Sequence, residues 1–149
     1  TTSNVLRARD ETRFYRYPQG TPVASGIFRF RYIHPHIQTQ TPMNFRQLPP
    51  RDLATFLHDH PDAILLDVRE PWEFALASLD GSTLIPLGQL ADRAEDELPM
   101  GTPIVAYCHH GIRSINACAV LASLGYGELF NLSGGIDRYS MELGTVPRY

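Results

Sequence analysis

Short apolar runs of strand length recur between helical patterns along residues 43–149, and this alternation limits the folds open to the chain. The clearest runs are AILLDV (63–68) and TPIVAYC (102–108), which are nearly continuous in apolar residues. Such runs suit strands that are buried on both faces of a parallel sheet, and the helical patterns between them supply the crossovers. The sequence therefore predicts an α/β fold with a mostly parallel central sheet of four to five strands and helices on both faces.

The chain changes character at Met43, its first methionine. The residues before Met43 hold six of the 13 arginines but only two of the 16 acids. Within them only residues 27–33 alternate as a strand does. We therefore expect residues 1–42 to be an N-terminal extension, which is a leader, an expression remnant or an ordered arm. We expect residues 43–149 to be the folded domain.

Composition excludes several classes of function. The chain has no lysine, so neither a lysine Schiff base nor a lysine-containing phosphate loop is available. Its two cysteines, Cys108 and Cys118, are too few for a disulfide framework. The formal charge of −3 gives no reason to expect nucleic acid or a membrane as partner. No apolar run reaches the length of a membrane span, and we expect a cytoplasmic protein.

The segment VAYCHHGIRS (105–114) contains the candidate nucleophile, Cys108. Cys108 ends a predicted strand, where working sites of parallel sheets lie, and a predicted helix begins near Arg113. The positive end of that helix and the backbone N–H groups of the turn both favour a thiolate. Gly111 lets the loop curl so that successive N–H groups point inward. Arg113 either grips an anionic substrate or braces the loop against an acid.

Four segments resemble the single-domain rhodaneses, also called thiosulfate sulfurtransferases, in the order and spacing of that family. These segments are LLDVREPWEF, DGSTLIPLGQL, YCHHGIRS and NLSGGIDRYS. The resemblance covers nearly all of residues 48–149 and implies an enzyme of the thiosulfate:cyanide sulfurtransferase class. It implies that thiosulfate or another persulfide donor gives its outer sulfur to Cys108. Cyanide, or a thiol such as thioredoxin or glutathione, then accepts that sulfur. No cofactor and no metal are implied.

The resemblance also implies a role for each residue of the site. The loop from Cys108 to Arg113 stabilises the persulfide anion through its backbone N–H groups, and two positions of the DVR segment help to hold the loop's shape. The predicted loop residues are Cys108, His109, His110, Gly111, Ile112 and Arg113, and the predicted support residues are Asp67, Arg69 and Ser114. A simpler alternative is that Asp67 ends a strand and caps the helix that follows.

Three side chains near the nucleophile have open roles. His109 and His110 either hold an anion, shuttle a proton or do neither. We expect no metal site there, because no third ligand is adjacent and neighbouring side chains in a tight loop diverge. The two histidines stand where relatives that use thiosulfate strongly often have arginine or lysine, so positive charge at the mouth is reduced. Cys118 lies among apolar helix residues and is predicted to be a packing residue.

The number of residues between Cys108 and Arg113 discriminates between reaction classes. Phosphatases and arsenate reductases of the same fold have five intervening residues, because a tetrahedral oxyanion needs a wider ring of N–H donors than one sulfur atom does. Here four residues intervene, which favours sulfur transfer. The alternatives are a phosphatase or arsenate reductase, and a binding or sulfur-carrier module with little thiosulfate turnover.

Overall fold

A computed structural model of the protein describes residues 44–149. Its sheet has five strands in the order β1–β5–β4–β2–β3, and every pair is parallel. The strands are β1 (Phe45–Leu48), β2 (Ile64–Asp67), β3 (Thr83–Leu84), β4 (Ile104–Tyr107) and β5 (Leu129–Leu132). The helices are α1 (Leu53–Asp59), α2 (Pro71–Leu76), α3 (Leu90–Glu97), α4 (Ile112–Ser123) and α5 (Gly135–Leu143). The predicted α/β class and parallel sheet are confirmed.

Strand β1 is the element that the sequence pattern did not indicate. It lies at the edge of the sheet against β5, and its Arg46 and Gln47 side chains are exposed, so it lacks the apolar run of an inner strand. A 3-10 turn (Leu87–Gln89) directly precedes α3. The predicted extension, residues 1–42 with the strand pattern at 27–33, lies outside the described residues. No helix within residues 44–149 combines the length and apolar content needed to cross a membrane.

The side chains of β4 alternate between the two faces of the sheet and enter two separate apolar cores. Ile104 and Ala106 pack into the core that holds α3 and α4, whereas Val105 and Tyr107 pack into the core that holds α1 and α5. All four side chains are fully buried. Burial on both faces explains why this strand is apolar throughout, since each face contributes its own hydrophobic driving force.

Strand register brings the segments of interest to one edge of the sheet. Asp67 at the end of β2 pairs with Tyr107 at the end of β4, so the residues after both strands leave the sheet side by side. The backbone N–H of Val68 continues this pairing by donating to the carbonyl of Tyr107 at 3.1 Å. Cys108 therefore lies at the carboxyl edge, as the sequence predicted.

Gly135 lets the start of α5 approach the segment after β4. Gly135 has a φ of +61°, and a Cβ placed on it would lie 2.3 Å from the carbonyl oxygen of Cys108. This contact allows the backbone N–H of Ile136 to donate to that oxygen at 2.9 Å. The N–H of Asp137 likewise donates to the carbonyl of His109 at 3.1 Å. Only glycine leaves room for this backbone contact.

We expect Gly135→Ala to destabilise the protein far more than Gly144→Ala. Gly144 has a similar φ of +65° but no neighbouring atom within 4 Å, so alanine there adds only backbone strain of about 1 kcal/mol. At Gly135 the same strain combines with a backbone clash, and we expect a loss of at least about 3 kcal/mol. Urea unfolding of both variants measures the difference. Equal losses would show that the close approach to Cys108 is unimportant for stability.

Candidate active site

Cys108 is buried at the floor of its loop, with only 1% of its surface exposed. Its Sγ accepts a hydrogen bond from the backbone N–H of Gly111 at 3.1 Å and one from the Ser114 hydroxyl at 3.5 Å. Gly111 adopts a left-handed φ of +95° directly before α4. Ser114 lies in the first turn of that helix and is fully buried. Both donors favour negative charge on the sulfur.

Two backbone carbonyls of the loop are bonded away from the sulfur. The carbonyls of Cys108 and His109 accept the N–H groups of α5 described above. The loop is therefore fixed between β4 and α5 on its carbonyl side, while the N–H of Gly111 faces the sulfur. Ile112, the first residue of α4, is 72% exposed and stands at the rim of the loop rather than inside it.

Arg113 forms a two-armed ion pair with Glu73 of α2. Its Nη1 and Nη2 lie 2.6 and 2.7 Å from the two carboxylate oxygens. Hydrogen bonds from Arg113 hold the pKa of Glu73 at about 2, although burial of the carboxylate acts in the opposite direction. Of the two roles predicted for Arg113, this geometry corresponds to bracing the loop against an acid.

Arg69 forms a second ion pair, with Asp67, and both side chains are fully buried. The guanidinium Nε lies 2.8 Å from Oδ1, and Nη2 lies 2.5 Å from Oδ2. Nη2 also donates to the carbonyl of Ala77 at 2.8 Å. Burial alone would lower the pKa of Arg69, but the hydrogen bonds and charge of Asp67 outweigh it and raise that pKa. Asp67 does not cap the next helix, because Glu70 is the residue before α2.

Aromatic rings cover one side of the loop. The ring of His109 stacks on that of Tyr149 with centroids 4.4 Å apart and planes 11° apart. The ring of His110 stacks on His109 at 4.0 Å, and Trp72 meets Tyr149 edge-on at 6.5 Å. Burial lowers the pKa of His109, and the neighbouring His110 lowers it further. His109 is therefore a neutral ring at pH 7, which suits stacking.

The expectation that the two histidines diverge is wrong, and a third potential ligand is present. Ligand atoms of His109, His110 and Asp137 all lie within 4.8 Å of one another. The imidazole planes are only 28° apart, however, so their in-plane nitrogens do not converge on one ion. Asp137 is already paired with Arg148 at 2.8 Å. The cluster fits stacking and ion pairing better than metal binding.

Cys118 is confirmed as a packing residue. It is fully buried in α4, and its Sγ lies 3.6 Å from the carbonyl oxygen of Phe130. Burial raises the pKa of the Cys118 thiol to about 12, so this thiol stays protonated at neutral pH. It is therefore unsuited to nucleophilic chemistry.

The sequence profile of the Rhodanese-like domain matches residues 49–142, which is more than half of the chain. The chain belongs to the rhodanese-like domain family. It is 36% identical over 90 residues to a sulfurtransferase of Allochromatium vinosum, and the match spans 60% of this chain and 83% of that protein. It is 33% identical over 95 residues to thiosulfate sulfurtransferase GlpE of Pseudomonas fluorescens, spanning 62% of this chain and 83% of that protein.

Solved structures support the rhodanese fold as well. A rhodanese-related protein from Thermoplasma volcanium superposes with a TM-score of 0.61 at 29% identity, covering 68% of this chain and 97% of that one. Some relatives are longer proteins. The chain spans 25% of the probable adenylyltransferase/sulfurtransferase MoeZ of Mycobacterium tuberculosis, to which it is 31% identical over 97 residues. The match therefore covers only one part of that longer protein.

Sequence reasoning missed three residues that this rhodanese-like site uses. Glu73 carried a signal, since it lies in the REPWEF segment three residues after Glu70, whose N–H donates to its carboxylate at 3.0 Å. Gly135 lies in the NLSGGIDRYS segment, but its contact with Cys108 arises from the tertiary fold and not from the local sequence. Tyr149 lies 80 residues from its partner Arg69, and no local pattern links them.

We expect Glu73→Gln to lower the free energy of unfolding by about 2 kcal/mol at pH 7, because Arg113 loses its charged partner. A carboxylate whose pKa is lowered from 4.5 to about 2 on folding adds stability above pH 4.5 that is lost as the pH falls toward 2. Denaturant unfolding across this pH range should therefore show a stability decline in the parent protein that is weaker in Glu73→Gln.

The matched control is Glu97→Gln, which breaks an ion pair with Arg93 on the exposed face of α3. Surface pairs of this kind contribute little, so its stability should stay near that of the parent. If Glu73→Gln behaves like the control at every pH, the pair with Arg113 does not stabilise the loop.

Proposed function

We propose that this protein is a sulfurtransferase that carries sulfane sulfur as a persulfide on Cys108. The hydrogen-bonding environment of the Cys108 sulfur supports this most directly. A backbone N–H and a hydroxyl donate to Sγ at 3.1 and 3.5 Å, on a loop with four residues between Cys108 and Arg113 that the Arg113–Glu73 pair braces. The relatives named sulfurtransferase and thiosulfate sulfurtransferase support the same chemistry.

The first half of the reaction loads Cys108. The thiolate attacks the outer sulfur of thiosulfate or of a persulfide donor, and a new S–S bond forms to Cys108. The donor's own S–S bond breaks at the same time, and its electron pair leaves with sulfite or with the donor thiolate. The terminal sulfur of Cys108 then carries the negative charge, which inward-facing donors such as the N–H of Gly111 stabilise.

The second half of the reaction unloads the sulfur. Cyanide or a thiolate attacks the terminal sulfur, forms a bond to it and returns the bonding pair to Cys108 as a thiolate. Thiocyanate leaves in the first case and a new persulfide in the second. Burial of Cys108 keeps bulk water away between the two halves, which suits a ping-pong enzyme with a covalent intermediate.

We place the reaction in the cytoplasm, with a thiol such as thioredoxin or glutathione as acceptor. Both cysteines of the chain are free thiols, and a reducing compartment keeps them so. The acceptor thiol is itself reduced there and ready to attack the persulfide.

Incubation with thiosulfate or an alkyl persulfide should add about 32 Da, one sulfur atom, to the intact protein. Mass spectrometry measures the addition. It should be absent in Cys108→Ser and present in Cys118→Ala, because Cys118 is buried and protonated. An addition that survives Cys108→Ser, or no addition with any donor, would contradict the proposal.

The same variants test the phosphatase alternative. A ring of four residues between Cys108 and Arg113 offers fewer N–H donors than a tetrahedral oxyanion requires, so we expect no hydrolysis of an aryl phosphate. Hydrolysis that is present in the parent protein and lost in Cys108→Ser would replace sulfur transfer by phosphoryl transfer as the function.

A further inference from the structure

The segment after α5, residues 144–149, returns across the mouth of the Cys108 loop. Val146 packs against the core on the α1 and α5 face of the sheet. Arg148 pairs with Asp137 at 2.8 Å. These two contacts deliver Tyr149 to the position where its ring stacks on His109, the residue after Cys108. The aromatic cover of the loop is therefore held by its own anchors.

The Tyr149 hydroxyl joins the two ion pairs of the site. It accepts a hydrogen bond from Nη1 of Arg69 and donates one to Oε1 of Glu73 at 3.2 Å. Burial raises the pKa of this phenol, so at neutral pH it keeps the proton that it donates. Nε and Nη2 of Arg69 are bonded to Asp67 and Ala77. Within residues 44–149, Tyr149 is the only hydrogen-bond partner of Nη1.

We propose that Tyr149 is a specificity-determining residue, whose hydroxyl occupies Nη1 of Arg69 beside the Cys108 loop and so disfavours donors whose leaving group carries oxyanion oxygens, as that of thiosulfate does. This inference rests on the sulfur-transfer function proposed above. The preferred donor is then a persulfide whose alkyl group is uncharged, rather than the thiosulfate dianion.

The charges around the loop support this assignment. Asp67 and Arg69 neutralise each other, as do Glu73 and Arg113, so the four buried or half-buried groups sum to zero. Both arginines have carboxylate partners, and Tyr149 bonds to Nη1, the one terminal nitrogen of Arg69 that neither Asp67 nor Ala77 contacts. A sulfonate oxygen approaching the loop therefore meets no arginine free of a partner among these groups. A persulfide with an uncharged alkyl group requires none, and two exposed apolar side chains flank the loop, Ile112 at the start of α4 and Trp72 beside Tyr149.

Removal of the Tyr149 hydroxyl should expose a fixed cationic donor. Nη1 of Arg69 would then be available to a sulfonate oxygen of thiosulfate. A hydrogen bond to a charged group contributes roughly 1.5–3 kcal/mol, which corresponds to at least about a tenfold change in affinity. The effect should be confined to anionic donors, because an uncharged donor has no group to bind there.

The test compares kcat/KM for thiosulfate and for an uncharged alkyl persulfide in Tyr149→Ala and Tyr149→Phe. We expect both variants to shift the ratio toward thiosulfate through KM, by about tenfold in Tyr149→Ala and less in Tyr149→Phe, whose ring still covers Arg69. The control is Tyr139→Phe, on α5, whose ring packs against the core on the α1 and α5 face of the sheet, and its ratio should not change. An unchanged ratio in both Tyr149 variants would overturn the inference, even if both rates rise together.

A binding measurement makes the test independent of turnover. Calorimetry with sulfite, in the Cys108→Ser background, should show tighter binding when Tyr149→Ala is added. Equal sulfite affinity with and without Tyr149 would overturn the anion-blocking role. Failure of every donor to load Cys108 in the parent protein would instead overturn sulfur transfer itself, so the two failures are distinct.

Discussion

The site depends on two backbone hydrogen bonds between the start of α5 and the loop after β4. The N–H groups of Ile136 and Asp137 take the carbonyls of Cys108 and His109, and Gly135 provides the space for this contact. Each bond satisfies a helix-terminal N–H that has no partner within its own helix. With those carbonyls occupied, the loop can hold the N–H of Gly111 against the Cys108 sulfur. Parallel strand register places both segments at one edge, so the fold itself creates the contact.

Two carboxylate–arginine pairs complete the support beneath and beside the loop. Removal of one member of a buried pair typically costs roughly 3–5 kcal/mol, because the remaining charge is left without compensation. Asp67 and Arg69 are such a pair. Glu73 and Arg113 form a partly buried pair, in which Glu73 is nearly buried and Arg113 is the more exposed member. Tyr149 links the pairs through one hydroxyl. The result is a rigid polar support under a small, reactive sulfur.

Local pattern was sufficient for the inner strands and for the nucleophile, but not for contacts made across the fold. The apolar runs at 63–68 and 102–108 indicated β2 and β4, because strands buried on both faces admit few polar residues. Strand β1 was not predicted, because an edge strand needs no apolar run. The pairing of Arg113 with Glu73 was foreseen only as one of two roles, since spacing along a chain does not say which acid an arginine meets. The position of Tyr149 required the complete fold.

The neutral sum of the four charged groups has a consequence for ionic strength. Salt screens interactions between exposed charges over a Debye length of about 8–10 Å, but it affects buried pairs much less. The geometry around Cys108 should therefore stay constant as salt is added, because Asp67 and Arg69 are fully buried and Glu73 is nearly so. Any salt dependence of turnover then reports the encounter with a charged donor or acceptor rather than a change in the loop. In this protein, ionic strength separates the approach of a substrate from the chemistry that follows.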